Sequence, residues 1–581
     1  MSIASAVYSG PAMPTHNRWT SVIGSGLRVR LQGRTRKLSD LRYWRDHTAA
    51  LQRAQLRRLL EHASHTVFGR ERGFARIARC TDRDIVDAFR ASVPVADYEG
   101  YRALINRMRD GGEPDVLWPG LVMDYAQTSG TTAGDKYIPV TREMLRSNYR
   151  SALDIFAHAT RFGVSLPFVM GGKVLFLGGS TDLTVNPHGV RTGDISGIVT
   201  PLIRWPISEI YAPGPSIALM SHWPSKIEAM ARQCLDQDIR MINGMPSWAL
   251  VLMDRVLELA RERGRIGPGD AIDKVWPNLT LFVHGGVKYA PFEARVRQRY
   301  SGSPDGPDIP FRLELYPASE GFIALQDTRN DPGLRLLADV GNFYEFIPLD
   351  EIDAALRGDT AGGRGRAFTC ETVEPGVRYV VTMTTCAGLF RYVIGDVVEF
   401  DTVPRDLTGR GGWDARAGFG PGPCRLRIVG RHRHFINAFG ENIIVEHIEN
   451  AVAKAAVGLE RAGLSIGEFT AAPVYPQGGR RAGLELALEV GNADGTAAHL
   501  SAAALADLAR AFDDAIKVQN VDYTTKRTDD VGMAPPTVSI LPLGTIHRWM
   551  QSRGKLGGQH KCPRCANHRD YIDGVLALAG R

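Results

Sequence analysis

The chain has 581 residues, 44% of them hydrophobic and 23% charged, with a formal net charge of +7. That length exceeds one ordinary domain and implies two or three packed units with the composition of a globular enzyme. No apolar run approaches the ~18 residues of a membrane span, and no recognised motif accompanies the mild basic excess, so neither a membrane nor a nucleic-acid partner is expected.

Residues 1–40 are rich in Ser, Gly and Arg with little periodicity, and read as a loosely ordered lead-in. They lack the charged head and apolar core of a secretory signal, although a weak organelle-targeting reading stays open. Helical spacing begins near residue 41, where Leu56, Leu59, Leu60 and Ala63 form one stripe. From about residue 120 short apolar runs end in glycine, as in Lys173–Gly179 and Leu279–Gly286, with Phe311–Tyr316 and Arg378–Thr384 similar. Alternating with helical stretches such as Ser247–Arg263, they predict a mixed α/β sheet buried on both faces. A Gly/Pro-rich stretch, Leu407–Pro423, precedes a change of texture. Beyond it come a helical stripe at Val445, Ile448 and Val452, a strand Leu484–Val490 with one wet face, and a second stripe at Leu505, Leu508, Phe512 and Ile516. The predicted division is a lead-in (1–40), a large domain (41–429) and a small α+β domain (430–581). The cysteines, Cys80, Cys234, Cys370, Cys386, Cys424, Cys562 and Cys565, are odd in number and scattered. They fit free thiols in a reducing cytoplasm.

The strongest local signal is Thr128-Ser-Gly-Thr-Thr-Ala-Gly-Asp-Lys136, leaving the apolar run Leu121–Tyr125. Glycines let backbone amides converge on an anion, hydroxyls add donors, and Lys136 adds charge. The Walker A order is absent, because Asp135 separates Gly134 from Lys136. Taken alone, such a loop is more often a solvated Ser/Thr/Gly turn. Downstream stand Tyr316-Pro-Ala-Ser-Glu-Gly321, Gly388-Leu-Phe-Arg-Tyr-Val-Ile-Gly-Asp396, and Gly430-Arg431 followed by Phe439-Gly-Glu441.

In this order the motifs resemble the adenylate-forming superfamily. With Phe343-Tyr-Glu-Phe-Ile-Pro348 and the terminal Gly557-Gly-Gln-His-Lys-Cys-Pro-Arg564, the closer match is to the auxin-responsive acyl-acid amido synthetases of plants and bacteria. The resemblance implies an α/β fold: a large N-terminal domain of mixed sheets flanked by helices, with a β-barrel-like part, and a small mobile α+β C-terminal lid. It implies an ATP-dependent ligase that makes an acyl-adenylate and pyrophosphate from a carboxylic acid, then passes the acyl group to an amine, an amino acid above all. Thr128, Ser129, Gly130, Thr131, Thr132, Gly134 and Lys136 would then hold phosphates. Glu320 would help hold Mg²⁺, with Ser319 and Tyr316 near phosphate and adenine. Asp396 would receive the ribose hydroxyls, and Arg431 would meet the nucleotide from the hinge. Each has a plainer alternative, respectively a strand-end carboxylate, a turn residue and an interdomain ion-pair partner for Glu320, Asp396 and Arg431.

Lys561 corresponds to the lysine that the small domain swings over the phosphates, with Arg564 supporting its loop. The same stretch spells His560-x-Cys562-x-x-Cys565-x-x-His568, a compact alternative zinc set. Asn442 stands where many relatives have Lys, which weakens any role carried over to that hinge segment. Met245, Trp248, His284 and Val287 are candidate acyl-pocket residues, with core packing as the alternative for each. His284 also invites a general-base reading through its ordinary pKa range, with a hydrogen-bonded structural histidine as the commoner alternative. A thiol acceptor such as coenzyme A, and a non-catalytic nucleotide-binding relative, are the competing functions. Neither the acid, the amine nor the oligomeric state is legible.

Overall fold

The computed structural model describes residues 19–128, 136–178, 183–220, 223–286, 289–359, 365–403, 423–432, 435–436, 443–474, 482–492, 496, 498–520, 523–524, 527, 533–553, 562–566 and 568–581. The chain divides into two compact units. The first comprises residues up to Ile394 and Glu399–Arg427, and the second Gly395–Val398, Ile428–Leu556 and His560–Arg581.

In chain order the first strands are β1 (Asp124–Thr128), β2 (Lys136–Pro139), β3 (Lys173–Phe176), β4 (Thr184–Val185), β5 (Arg191–Gly193), β6 (Tyr211–Ala212), β7 (Ile239–Asn243) and β8 (Leu281–Gly285). There follow β9 (Phe311–Ala318), β10 (Gly321–Gln326), β11 (Leu334–Leu336), β12 (Phe343–Pro348), β13 (Arg378–Thr384), β14 (Tyr392–Thr402) and β15 (Arg425–Arg431). A four-stranded sheet has the order β2-β1-β5-β4, and a large one runs β12-β13-β14-β15-β11-β10-β9-β8-β7-β3-β6. Parallel pairing joins β3, β7, β8 and β9, and β10 then folds back antiparallel on β9.

The parallel part is buried on both faces, as strand runs of continuous apolar residues require. Leu281, Val283, Leu313 and Leu315 pack with Ile155, Ala159, Val169 and Met170. On the opposite face Ile242 and Phe282 pack with Leu250, Met253 and Val256 of the helix Pro246–Glu262, and with Trp276 and Val296.

The stretch read as a loose lead-in contains a helix, Ser21–Ser39. Its anchor is tertiary. Arg34 Nε and Nη2 donate to the two carboxylate oxygens of Asp154 at 2.7 and 2.5 Å, while Nη1 and Nη2 grip Asp339 at 2.7 and 2.8 Å. A two-carboxylate clamp far along the chain leaves no periodic signature in the helix itself.

The second unit adds β16 (Phe435–Ile436), β17 (Ile443–Ile444), β18 (Ser465–Val474), β19 (Gly483–Gly491) and β20 (Thr537–Leu541). Here β19 is central, antiparallel to β18 and parallel to β20. The expectation of one wet face on Leu484–Val490 fails, because every residue of β19 is buried. Leu484, Leu486, Leu488 and Val490 face the helices Val445–Arg461 and Ala502–Lys517. The other face is covered by the C-terminal helices Thr545–Ser552 and Asp570–Leu578, against which Ala487 packs. Its two carboxylates are satisfied there. Glu485 accepts from Arg569 Nη2 at 2.7 Å, and Glu489 accepts the backbone amides of Ile546, Gly544 and Glu468 at 2.7, 3.1 and 3.2 Å.

Candidate active site

Antiparallel register places Thr128 directly opposite Lys136, so the candidate anion-binding segment joins β1 to β2. Ser129, Gly130, Thr131, Thr132 and Gly134 lie outside the described residues. Both roots of the loop are fixed. The parallel partner β5 holds β1, with Ala126 opposite Gly193. The strand β2 is docked on the helix Tyr98–Arg109: Tyr137 N donates to the Tyr98 hydroxyl at 2.8 Å, and the Arg109 guanidinium lies 3.4 Å over the Tyr137 ring. The Lys136 ammonium sits 5.9 Å from the centre of the Tyr98 ring, within the range of a cation–π attraction.

Ala318 pairs with Gly321, so Ser319 and Glu320 form the two-residue turn between β9 and β10. Gly321 has φ +149, and a Cβ there would come within 2.9 Å of Asn342 Nδ2, which explains the glycine after the acid. Tyr316 and Ser319 are buried at the same end of β9.

The turn meets the Gly388–Asp396 motif through Tyr392. Burial, and then the neighbouring Glu320 carboxylate, hold the Tyr392 phenol well above its ordinary pKa, with Tyr98 and Asp97 also acting on it. Tyr392 is reached from the Tyr98 side as well: Ala96 pairs with it, Val393 N donates to Ala96 O at 2.9 Å, and the Tyr101 ring meets it edge-on at 6.0 Å. The structure thus brings Lys136, Tyr98, Tyr392 and the Ser319–Glu320 turn into one array inside the first unit. Tyr98 and the role of Tyr392 were missed in the sequence, where Tyr98 stands in no motif.

Arg391 and Glu345, both inside expected motifs, serve the scaffold. Glu345 is buried between Arg391 Nε at 3.0 Å and Arg90 Nε at 2.8 Å, and these guanidinium groups hold its pKa below the usual value against the opposing effect of burial. Arg391 has φ +50, and its conformation is held by Thr384 Oγ1 on its amide (3.0 Å) and by Val93 O on Nη1 (2.8 Å).

Within the second unit Arg431 Nε donates to Asp396 Oδ1 at 2.7 Å, pairing an exposed guanidinium with a buried carboxylate. Gly395, at φ +93, leaves 3.2 Å between a notional Cβ and the His432 ring, and His432 N donates to Gly395 O at 2.9 Å. The two motifs that contributed the ribose and hinge candidates are therefore in direct contact.

Met245 caps the helix Pro246–Glu262, and Trp248 in its first turn packs against the core cluster that also contains Phe282 and Tyr289. His284 is buried at the end of β8, and burial, aided by the Arg312 charge, drops its pKa to about 3. A base that weak does not suit proton abstraction near neutrality. Val287 and Lys561 lie outside the described residues. Arg564 anchors the segment after Lys561, pairing with Glu468 at 2.5 Å and stacking over Phe469 at 4.3 Å. Burial pushes the Cys562 thiol up to about 12, and Cys565 is buried in a bridge to Ala471. His560 lies outside the described residues, among which no group of three or more His, Cys, Asp or Glu side chains converges on a metal position.

The comparisons with known proteins cover the whole of this organisation. The GH3 family N-terminal domain matches residues 37–211, the central domain residues 335–406 and the C-terminal domain residues 446–570. The indole-3-acetic acid-amido synthetase GH3.8 of Oryza sativa subsp. indica is 23% identical over 95% of this chain and 95% of its own length. The indole-3-acetic acid-amido synthetase GH3.10 of Arabidopsis thaliana is 24% identical over 92% and 96%. Among solved structures, the AtGH3.15 acyl acid amido synthetase in complex with 2,4-DB superposes with a TM-score of 0.69 at 17% identity, over 98% of each chain. A 2-hydroxyisobutyryl-CoA ligase in the postadenylation state has the same general fold, with a TM-score of 0.53 at 16% identity over 94% and 96%. The chain therefore belongs to the GH3 family, the adenylate-forming amido synthetases.

Proposed function

We propose that this chain activates a carboxylic acid with ATP at the β1–β2 hairpin and the Ser319–Glu320 turn, and joins the activated acyl group to the amino group of an amino acid. In the first half-reaction a carboxylate oxygen attacks the α-phosphorus, the bond to pyrophosphate breaks, and an acyl-adenylate forms. In the second the amine attacks the acyl carbon, AMP leaves, and the amine loses its proton.

Both steps depend on positioning and on charge held in advance. Lys136 would face the phosphates from the root of the loop, with Thr128 and the loop residues as donors. Lys561 is the proposed second cation, Asp396 the ribose partner and Arg431 its neighbour from the hinge. Tyr316 and Ser319 would flank adenine and phosphate, and Met245, Trp248, His284 and Val287 would line the acyl side. The chemistry of Glu320 suits Mg²⁺: it is a hard oxygen donor on a tight turn, and Mg²⁺ at polyphosphates needs only one or two protein carboxylates. Bound there, the ion would neutralise phosphate charge.

The observation that carries the reading is the approach of the Lys136 ammonium to Tyr98, whose neighbour Tyr392 feels the Glu320 carboxylate. The test is product analysis by mass spectrometry. Purified protein is incubated with ATP, Mg²⁺, a panel of acids, and either amino acids or coenzyme A. Acyl-amino acid and AMP are expected. Acyl-CoA formed in preference would overturn the amine as acceptor.

A further inference from the structure

His284 is 1% exposed, yet among the described residues neither ring nitrogen has a hydrogen-bond partner. Such a group is uncommon, because a buried donor or acceptor left unpaired forfeits its hydration. Its neighbours do not relieve it. The ring stacks on Tyr289 at 4.7 Å and 28° and lies 5.2 Å from Phe282. The Tyr289 hydroxyl is engaged with Asp308 at 3.1 Å, and Arg312 grips the same carboxylate through Nε at 2.9 Å while its guanidinium covers the Tyr289 face at 3.9 Å. The imidazole is neutral near pH 7, so it offers one N–H donor and one lone pair.

Its place in the fold is specific. Parallel register sets His284 beside Glu314, two residues before Tyr316 on the same strand face. That face also carries Phe282 and Tyr289, which share a core cluster with Leu250 and Met253 of the helix opened by Met245 and Trp248.

Resting on the proposed acyl side of the site, we infer that His284 is a specificity-determining residue that selects carboxylic acids bearing a hydroxyl group away from the carboxylate. A hydroxyl both donates and accepts, so it can meet either nitrogen whichever tautomer is present. An acid with only hydrocarbon in that position leaves the imidazole unpaired, and the site discriminates against it.

The test is pyrophosphate release with pairs of acids that differ by one hydroxyl, such as phenylacetic and 4-hydroxyphenylacetic acid, on wild type, His284→Leu and His284→Gln. Wild type should favour the hydroxylated member of at least one pair by about 10- to 100-fold in kcat/KM. His284→Leu should bring that ratio to about one whatever its absolute rate, and His284→Gln, which retains a donor and an acceptor, should keep much of the ratio. Release without hydroxyl preference in any pair, or an equal loss on both members in His284→Leu, overturns this inference alone. No release with any acid overturns the adenylation reading and the inference with it.

Discussion

A lysine ammonium helps a polyphosphate reaction most when its position is set before the ligand arrives, and in the proposed function Tyr98 would do this for Lys136 with both ends of its side chain. The ring lies under the ammonium, and the hydroxyl accepts the Tyr137 amide next to it. Tyr98→Phe keeps the ring and loses the hydrogen bond, so kcat/KM for ATP should fall by about 3- to 10-fold. Tyr98→Leu also removes the cation–π contact and should lose about 5-fold more. Steady-state kinetics with a fixed acid checks both, and equal activity of the two variants would remove the ring from the account. Glu320→Gln keeps the shape of the turn and removes its charge. The variant should need much more Mg²⁺ for half-maximal rate, read from a Mg²⁺ titration, and the Tyr392 phenol should titrate at lower pH because one of the groups raising its pKa is gone.

At the scale of elements, two ion networks tie together parts that lie far apart along the chain. Arg34 ties the helix Ser21–Ser39 to Asp154 and Asp339. Arg34→Ala would leave the buried Asp154 carboxylate without its guanidinium and Asp339 with Lys37 alone at 3.3 Å, a loss of about 3 kcal/mol. Urea unfolding should show it, and Asp154→Asn in the same chain should recover part. How far the sequence is legible follows from the range of each interaction. Strands such as Leu281–Gly285 were readable because continuous apolar runs between glycines have few other uses. The strand before the candidate anion loop was readable because the apolar run Leu121–Tyr125 leads into a cluster of glycine and hydroxyl residues. The helix at Ser21–Ser39 was not, since its hold is an ion pair to residues more than 100 positions away. The strand Gly483–Gly491 was misread because its glutamates suggested water, whereas Arg569 and three backbone amides occupy them. Glu345 lies in the motif Phe343–Pro348, to which the sequence assigns no role beyond the resemblance. It is the buried partner of Arg391 and Arg90, and so steers the Tyr392 segment from behind.

The whole molecule joins a family with adenylate-forming chemistry to a basic chain that has no helix, among the described residues, long and apolar enough to cross a membrane. Its stability should depend on pH through buried histidines. His284, with a pKa near 3, and His158, whose pKa burial also pushes well below the ordinary value, are neutral in the fold. Unfolded, each takes up a proton near pH 6.5. The stability these two groups contribute is therefore full well above pH 6.5 and falls as pH drops below it, down to about pH 3 for His284, at up to about 1.4 kcal/mol per unit for each histidine. Urea midpoints between pH 7 and pH 5 should show this fall, and His284→Gln should fall less steeply. The account as a whole turns on charge stabilisation at the hairpin, and ATP–pyrophosphate exchange driven by a carboxylic acid measures it most directly. Wild type should exchange only when a suitable acid is present, and Lys136→Ala, folded as judged by its melting curve, should exchange about 10²- to 10³-fold more slowly. Exchange at the wild-type rate in Lys136→Ala would contradict the account.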